Sequence, residues 1–468
     1  MVFSSVTFLY YFLPITLAIY FLVPILKGSP RLRNIILLAA SLVFYAWGEP
    51  IYVLILIAQS LVAWIFGLFI EKHRGKKVSR ILLIITVAIS LSPLLFFKYT
   101  DFTLYNIQGI FNLDSRLLGL ALPIGISFYT FQILSYTFDL YRGKIQVSKK
   151  LLDFLTYVAM FPQLVAGPIV RYADIENELS ARKHNLEDIA VGIRRFIIGL
   201  GKKVLLANVM GELVDIYKNS NEYSVLFTWL YVIAFTLQIY FDFSGYSDMA
   251  IGLGRIFGFK FRENFNYPYI AKSITDFWRR WHISLSSWFK DYVYIPLGGS
   301  RTSAFRHIRN IILVWFLTGF WHGADWNFII WGLYFAGLLL VEKYILKKLL
   351  SKLPNFICFI YTMLIVAVSW IIFDTSDISS IGEVIIRLFG FGSDSIAGTS
   401  SIYYLRSYLV PILVGIIACT PVPKIIANKL STKKSFIIIE PVMLGILLIL
   451  ISAYIVDGSF NPFIYFRF

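Results

Sequence analysis

The sequence predicts an all-α polytopic membrane protein, and three observations carry that prediction. Hydrophobic residues make up 58% of its 468 residues and charged residues only 15%, where soluble domains hold about 45–50% apolar and about 25% charged. The mean hydropathy is +0.72. The apolar residues gather in runs near the length needed to cross a bilayer, about 20 residues. A soluble core has no room for such an excess, whereas lipid has.

The runs follow in order: 6–26, 34–47, 51–70, 81–97, 117–140, 227–243, 311–320, 328–341, 356–373, 407–420 and 441–455. Several are short or broken, so about ten to twelve membrane segments are expected. Residues 1–24 lack a basic lead and a small-residue cleavage site, so the first run is expected to be a retained span and not a removed signal. No internal repeat or low-complexity linker divides the chain. The simplest parse is one membrane domain over 1–468, with N-terminal spans (1–150), a core (151–345), and C-terminal spans with an aromatic tail (346–468).

The formal net charge of +16 would point to nucleic acid in a soluble protein. Here the cations sit in short loops between apolar runs, so membrane orientation and lipid contact account for them and no nucleic acid partner is expected. Clusters lie at Lys27/Arg31/Arg33, Lys72/Arg74/Lys76/Lys77/Arg80, Arg142/Lys144/Lys149/Lys150, Lys343/Lys347/Lys348/Lys352 and Lys424/Lys429/Lys433/Lys434. Alternate loops carry Glu49, Asp101 with Asp114, and Asp374/Asp377/Glu383 instead. Basic loops stay in the cytoplasm, which places both termini outside. Cys358 and Cys419 have no metal-ligand spacing and form no disulfide framework, and no metal site is expected.

Residues 151–299 differ from the rest. Pro162, Gly167, Pro168, Gly201, Pro268 and Pro296 interrupt the apolar stretches. Irregular backbone survives at membrane depth only where protein buries it or water reaches it. Re-entrant or surface-lying helices around a cavity are therefore expected. The stretch 161–171, with two prolines and a glycine, reads as a broken segment shaping a cavity mouth.

Four blocks hold residues able to do chemistry. In 276–296, Trp278, Arg279, Arg280, Trp281, His282, Trp288 and Lys290 crowd together with Asp276 and Asp291. Tryptophan and snorkelling cations suit a membrane interface. The alternative is a cavity wall, since continuous helical spacing would put Trp278, His282 and Ser286 on one face. In 316–332, His322 lies in an apolar run beside Gly323. Ionisable residues inside a membrane usually face an interior or a water path, and desolvation would keep the ring neutral and ready to take a proton. Packing and catalysis both remain open for it, with Asp325 in reach to orient it. In 238–255, Asp242 and Asp248 read as structural polar residues satisfied inside the bundle, as does Asp291, with an ion path as the rival. Small residues there permit close helix approach. The tail, 460–468, carries five aromatics including Tyr465. It either anchors at the interface or docks in a groove and offers the Tyr465 hydroxyl. No P-loop, GxSxG, HExxH or CxxC pattern occurs, which disfavours an ATP-driven pump, an α/β-hydrolase and zinc chemistry.

Together these blocks resemble the membrane-bound O-acyltransferase (MBOAT) family, and within it the membrane subunit of alginate and peptidoglycan O-acetylation systems. The opening Met-Val-Phe-Ser-Ser, the stretches 161–171, 241–252, 278–299 and 319–332, and the aromatic terminus carry the resemblance. The run WRRWHISLSSWFKDYVYIPLGG is long and specific, whereas WHG alone would be weak. The related D-alanyl transferases of teichoic acid share the architecture. The resemblance implies a ring of tilted and re-entrant helices around a central catalytic funnel in a bacterial cell membrane. It maps the family's two histidines onto His282 and His322, with His322 the principal catalytic residue. It implies acetyl-CoA as a donor substrate used from the cytoplasm and no bound cofactor. The acceptor is an extracytoplasmic polysaccharide, reached with a separate SGNH-type partner. Arg279, Arg280 and Lys290 are then candidates for the donor phosphates, and Tyr465 is a possible acyl relay. The rivals are a D-alanyl transferase and a polysaccharide exporter that performs no chemistry.

Overall fold

A computed structural model describes residues 1–27, 30–112, 116–458 and 463–464, and among these every regular element is helical. Asp114 and Tyr465 lie outside the described residues. Seven described helices are long and apolar enough to cross a membrane: Val53–Lys72, Lys77–Phe111, Val225–Ile256, Trp326–Leu350, Asn355–Asp374, Thr399–Ala418 and Phe436–Asp457. The expected ten to twelve segments counted shorter pieces with full spans. Leu13–Lys27 and Ile126–Tyr141 are such shorter helices, and Pro30–Gly48 and Ala304–His322 are of spanning length but less apolar.

One expected span begins later than its apolar run. Residues 117–140 read as a single segment, yet helix starts only at Ile126. Gly119 (φ +62) and Gly125 (φ +77) take left-handed backbone, which glycine adopts without steric cost. At Gly125 a side chain is also excluded, because a Cβ would stand 2.6 Å from the Leu164 carbonyl oxygen.

The chain divides into two compact units, 1–196 with 246–262 and 197–245 with 263–468. In the first, Ile126–Tyr141 is buried along nearly its whole length. The proline-broken stretch expected to shape a cavity mouth forms one helical turn, Phe161–Leu164, and its residues are buried. Protein groups satisfy the irregular backbone there, as membrane depth requires. The Ser41 hydroxyl accepts from Phe161 N (3.0 Å), and the Tyr157 hydroxyl lies 3.1 Å from the carbonyls of both Gln132 and Val170. Gly192 and Gly252 let two helices touch: a Cβ on either would stand 2.6–2.7 Å from the other's carbonyl oxygen. Along that contact Arg195 pairs with Asp248 at 2.8 Å and Arg255 with Asp188 at 3.3 Å. A further polar cluster surrounds His184. Arg33 donates to its Nδ1 (2.9 Å), so Nε2 carries the proton and faces the Tyr20 hydroxyl (3.1 Å), which donates to the Phe257 carbonyl (2.9 Å).

In the second unit six helices position the chemistry. They are the first part of α1 (Val225–Ile256), α2 (Ile274–Arg280), α3 (Ile283–Phe289), α4 (Ala304–His322), α5 (Trp326–Val341) and α6 (Asn355–Asp374). Helices α4 and α5 form a hairpin packed through glycine. A Cβ on Gly319 would stand 2.3 Å from the Phe328 carbonyl oxygen, and one on Gly332 would stand 2.3 Å from that of Trp315. Small residues are what allow helix backbones to meet so closely in lipid.

Candidate active site

His282 and His322 lie 40 residues apart in sequence and both approach one side chain. The ring centroid of Trp321 lies 6.1 Å from His282 and 5.0 Å from His322. Both histidines are buried, at 1% and 3% exposure.

His282 does not share a helical face with Trp278 and Ser286, as continuous spacing would have it. Helix α2 ends at Arg280, and His282 takes left-handed backbone (φ +43, ψ +55) before α3 begins. The cause lies 18 residues upstream in the chain. The Asn264 side chain meets Ser284 N at 3.1 Å, the Ser284 hydroxyl at 2.9 Å and His282 Nδ1 at 3.1 Å, all through one atom. A backbone amide only donates, so that atom is the carboxamide oxygen. Nδ1 therefore carries the proton, and Nε2 is left as the basic nitrogen. Nε2 is buried and meets no hydrogen-bond partner among the described residues. Its ring packs edge-on to Phe243 at 4.6 Å. Asn264 is a site residue that sequence reading missed, since nothing local marks an asparagine as the cap of a helix so far along.

His322 is the last residue of α4, and the extended Gly323 follows it. A Cβ on Gly323 would stand 2.1 Å from the Phe328 ring, so only glycine permits this exit. Trp331 and Phe373 pack edge-on to the imidazole, at 5.0 Å and 5.5 Å. Asp325 is committed elsewhere, as the N-cap of α5, accepting from Trp326 N at 2.7 Å. Of the two readings open for the tryptophans of 276–296, interface or cavity wall, the structure favours the interior one: Trp278, Trp281 and Trp288 are buried, and Trp278 lines a cavity. The indole N–H groups of Trp278, Trp331 and Trp370 are buried without an acceptor among the described residues. A buried donor left unpaired is costly, so a ligand oxygen arriving here would find donors waiting.

A cavity of about 900 Å³ opens beside this cluster, entirely within the second unit. Trp278 and Trp315 line it at 4.5 Å from each other, and Trp278 in turn packs on Trp331 at 5.6 Å. Two aromatic neighbours in contact, Trp278 and then Trp331, thus lead from the cavity lining to His322. Its cationic lining consists of Lys272, Arg279, Lys290, Lys343 and Lys347. Lys343 also donates to His307 Nε2 at 2.8 Å. Glu342 is its acidic lining residue, and its carboxylate accepts from Ile274 N (2.6 Å) and Thr275 N (3.0 Å), capping α2. Of the three cations expected at a donor, Arg279 and Lys290 line the cavity. Arg280 lies outside this lining and pairs with Asp276 at 2.9 Å.

The carboxylates of the third block are held by cations. Asp248 belongs to the first unit, paired with Arg195 as described above. Asp242 belongs to the second, 2.5 Å from Lys203 Nζ, and also accepts from Ile464 N at 2.7 Å. Residues Phe463 and Ile464 of the tail are buried, at 3% and 7% exposure. Asp291 lies at the start of the π-helical turn Lys290–Tyr294.

Comparison with known proteins accords with this arrangement. A model of the membrane-bound O-acyltransferase family matches residues 144–375. A probable alginate O-acetylase of Azotobacter vinelandii is 41% identical over 398 residues, 84% of this chain and 79% of that protein. A peptidoglycan O-acetyltransferase of Helicobacter pylori is 34% identical over 86% of this chain and 82% of its own. A teichoic acid D-alanyltransferase of Bacillus subtilis is 32% identical over 46% of this chain and 58% of its own. With apolar helices of spanning length and relatives aligned along most of their sequence, this multi-pass membrane protein is an O-acyltransferase that belongs to the membrane-bound O-acyltransferase family.

Proposed function

We propose that the chain takes an acetyl group from acetyl-CoA at the cytoplasmic face of a bacterial inner membrane and passes it toward hydroxyls of an extracytoplasmic polysaccharide. The observation that carries this reading is the cationic cavity lined by Trp278, whose ring packs on Trp331, the neighbour of His322. Its lysines and Arg279 suit donor phosphates, because charge-assisted hydrogen bonds are the strong ones. The acetyl reading rests on relatives aligned over more than four-fifths of this chain, whereas the D-alanyl relative aligns over less than half.

In the proposed step the hydroxyl oxygen attacks the thioester carbonyl, the C–S bond breaks, and an oxygen ester forms. His322 takes the hydroxyl proton as general base and returns it to the departing thiolate. His282, with Nε2 as its basic nitrogen, orients the hydroxyl or assists that proton. Such acid–base help contributes typically about 10²–10⁴-fold. Tyr465 is the proposed first acceptor, handing the acetyl group to an SGNH-type partner on the outer side. The polysaccharides named for the relatives, alginate and peptidoglycan, define the acceptor class to try first.

The test is release of free CoA by purified protein in vesicles. Loss of release in a normally folded His322→Ala variant is expected, and full release in that variant would overturn the assignment. Tyr465→Phe removes only the hydroxyl. Unchanged acetylation in that variant would reject the relay and leave partner docking as the tail's role.

A further inference from the structure

The polar cluster around His184 in the first unit gathers two guanidinium groups. Arg33 donates to His184 Nδ1 at 2.9 Å, and Arg182 donates to Asn34 Oδ1 at 2.6 Å. Each guanidinium carbon stands 5.9 Å from the centroid of the Tyr20 ring. Both arginines are half-buried. Like charges held on one ring repel each other. Burial first, with the Arg33 charge adding to it, pushes the Arg182 pKa down from its ordinary value. Among the described residues no carboxylate pairs directly with either arginine. Asp153 acts on Arg182 only through its charge, because its carboxylate accepts from Asn34 Nδ2 at 2.7 Å. Arg33 Nε and Arg182 Nε and Nη1 are buried with no acceptor among the described residues. Unpaired buried donors are costly, and charged ones more so. Helix α1 ends beside the cluster, where the Phe257 carbonyl accepts from the Tyr20 hydroxyl at 2.9 Å. A helix C-terminus supplies only about half a negative charge. Two guanidinium groups against one carboxylate and that helix end leave the cluster positive, with donors to spare.

We propose that Arg33 and Arg182, linked through His184, Tyr20 and Asn34, bind the phosphate of an anionic phospholipid headgroup. Arginine is suited to phosphate because its N–H groups form charge-assisted, forked hydrogen bonds to the phosphate oxygens. The setting favours a lipid over a free anion. Arg33 lies in the first turn of Pro30–Gly48, and Phe257 follows the last residue of α1, so the cluster sits where two long helices end. Ile19, Leu22 and Ile35, on the helices that carry Tyr20 and Arg33, expose 45%, 60% and 46% of their surface. Acyl chains cover such apolar side chains, and a basic pocket at the helix ends takes the headgroup. The site is independent of the acyl-transfer site, which lies in the second unit.

The test titrates the full chain in detergent with phosphatidylglycerol and reads bound lipid by native mass spectrometry. Arg33→Gln with Arg182→Gln removes both charges and keeps a donor for His184 and for Asn34. Lys76→Gln with Lys77→Gln removes two exposed charges from another basic cluster, so the net charge is matched. Phosphatidylglycerol is expected to bind wild type and the lysine variant alike and the arginine variant about tenfold or more weakly, the scale of a charge-assisted bond lost to phosphate. Equal affinity in all three proteins overturns the site. Phosphatidylcholine has a phosphate but no net charge, and an equal loss with that lipid overturns the selectivity for an anionic headgroup. Inorganic phosphate should not displace phosphatidylglycerol, and displacement at millimolar concentration identifies a free-anion site and overturns the lipid. Where thermal unfolding shows that the arginine variant does not fold, photo-crosslinking of wild-type protein with headgroup-labelled phosphatidylglycerol decides. Labelled peptides containing Arg33 or Arg182 support the site, and labels only elsewhere overturn it.

Discussion

With the Nδ1 proton of His282 held on Asn264, the chemistry left to that ring is acceptance at Nε2. Removing the Asn264 oxygen frees the ring to flip tautomer and takes this acceptor away from the Ser284 amide. Such losses cost about 1–3 kcal/mol, or roughly 5–150-fold. Asn264→Ala should therefore slow CoA release by that factor while leaving KM for the donor near wild type, as steady-state kinetics would show. His184 gives a second prediction at this scale. Burial first, then the charges of Arg33 and Arg182, lower its pKa from the ordinary 6.5 to about 4. Between those values the unfolded chain binds more protons than the folded one, so stability falls as pH falls. The contribution is complete above 6.5 and is lost as pH drops toward 4. Thermal unfolding of wild type should drop more between pH 7 and pH 5 than that of His184→Gln, and parallel slopes would refute it. Both histidines of the candidate site were marked in the sequence, His322 as an ionisable ring in an apolar run and His282 by the resemblance of its long, specific block. Asn264 was not, since its role exists only once the chain folds back on Ser284.

Among the elements, the α4–α5 hairpin decides where His322 sits. Its glycines fit carbonyl oxygens of the facing helix, and a methyl group there forces the backbones apart. Overpacking of this kind costs about 1–3 kcal/mol. Gly332→Ala should lower the thermal unfolding midpoint, whereas Gly337→Ala on the same helix should not, because a Cβ there meets nothing within 4 Å. Equal effects would show that the close approach carries no weight. Hydropathy predicted that α4 and α5 exist, whereas the small residues read as allowing close helix approach were those of 238–255. It did not predict that α2 breaks before His282. Periodicity along 278–286 reads as unbroken, while Asn264 and Glu342 cap two separate short helices from distant parts of the chain.

For the whole molecule, orientation is the open physical statement. Helix α6 separates the basic loop before it from residues 375–398, so one crossing places them on opposite sides. The excess of lysine predicts a cytoplasmic location for the first. An impermeant maleimide should label Ser395→Cys in intact cells and Lys352→Cys only after permeabilisation, while Cys358 and Cys419 stay buried. The reverse pattern would invert the proposed donor side. By itself, the sequence determined the solvent of this protein and its helical class, and it marked His322 as a candidate. Apolar excess, span length and an ionisable group in an apolar run are local quantities, written into consecutive residues. Only the tertiary structure decided that Trp321 packs near both histidines, that Arg279 and Lys290 line a cavity while Arg280 pairs with Asp276, and that Ile464 of the tail is bonded to Asp242. Each of these depends on a contact between residues far apart in sequence, where direction and distance, not composition, set the chemistry.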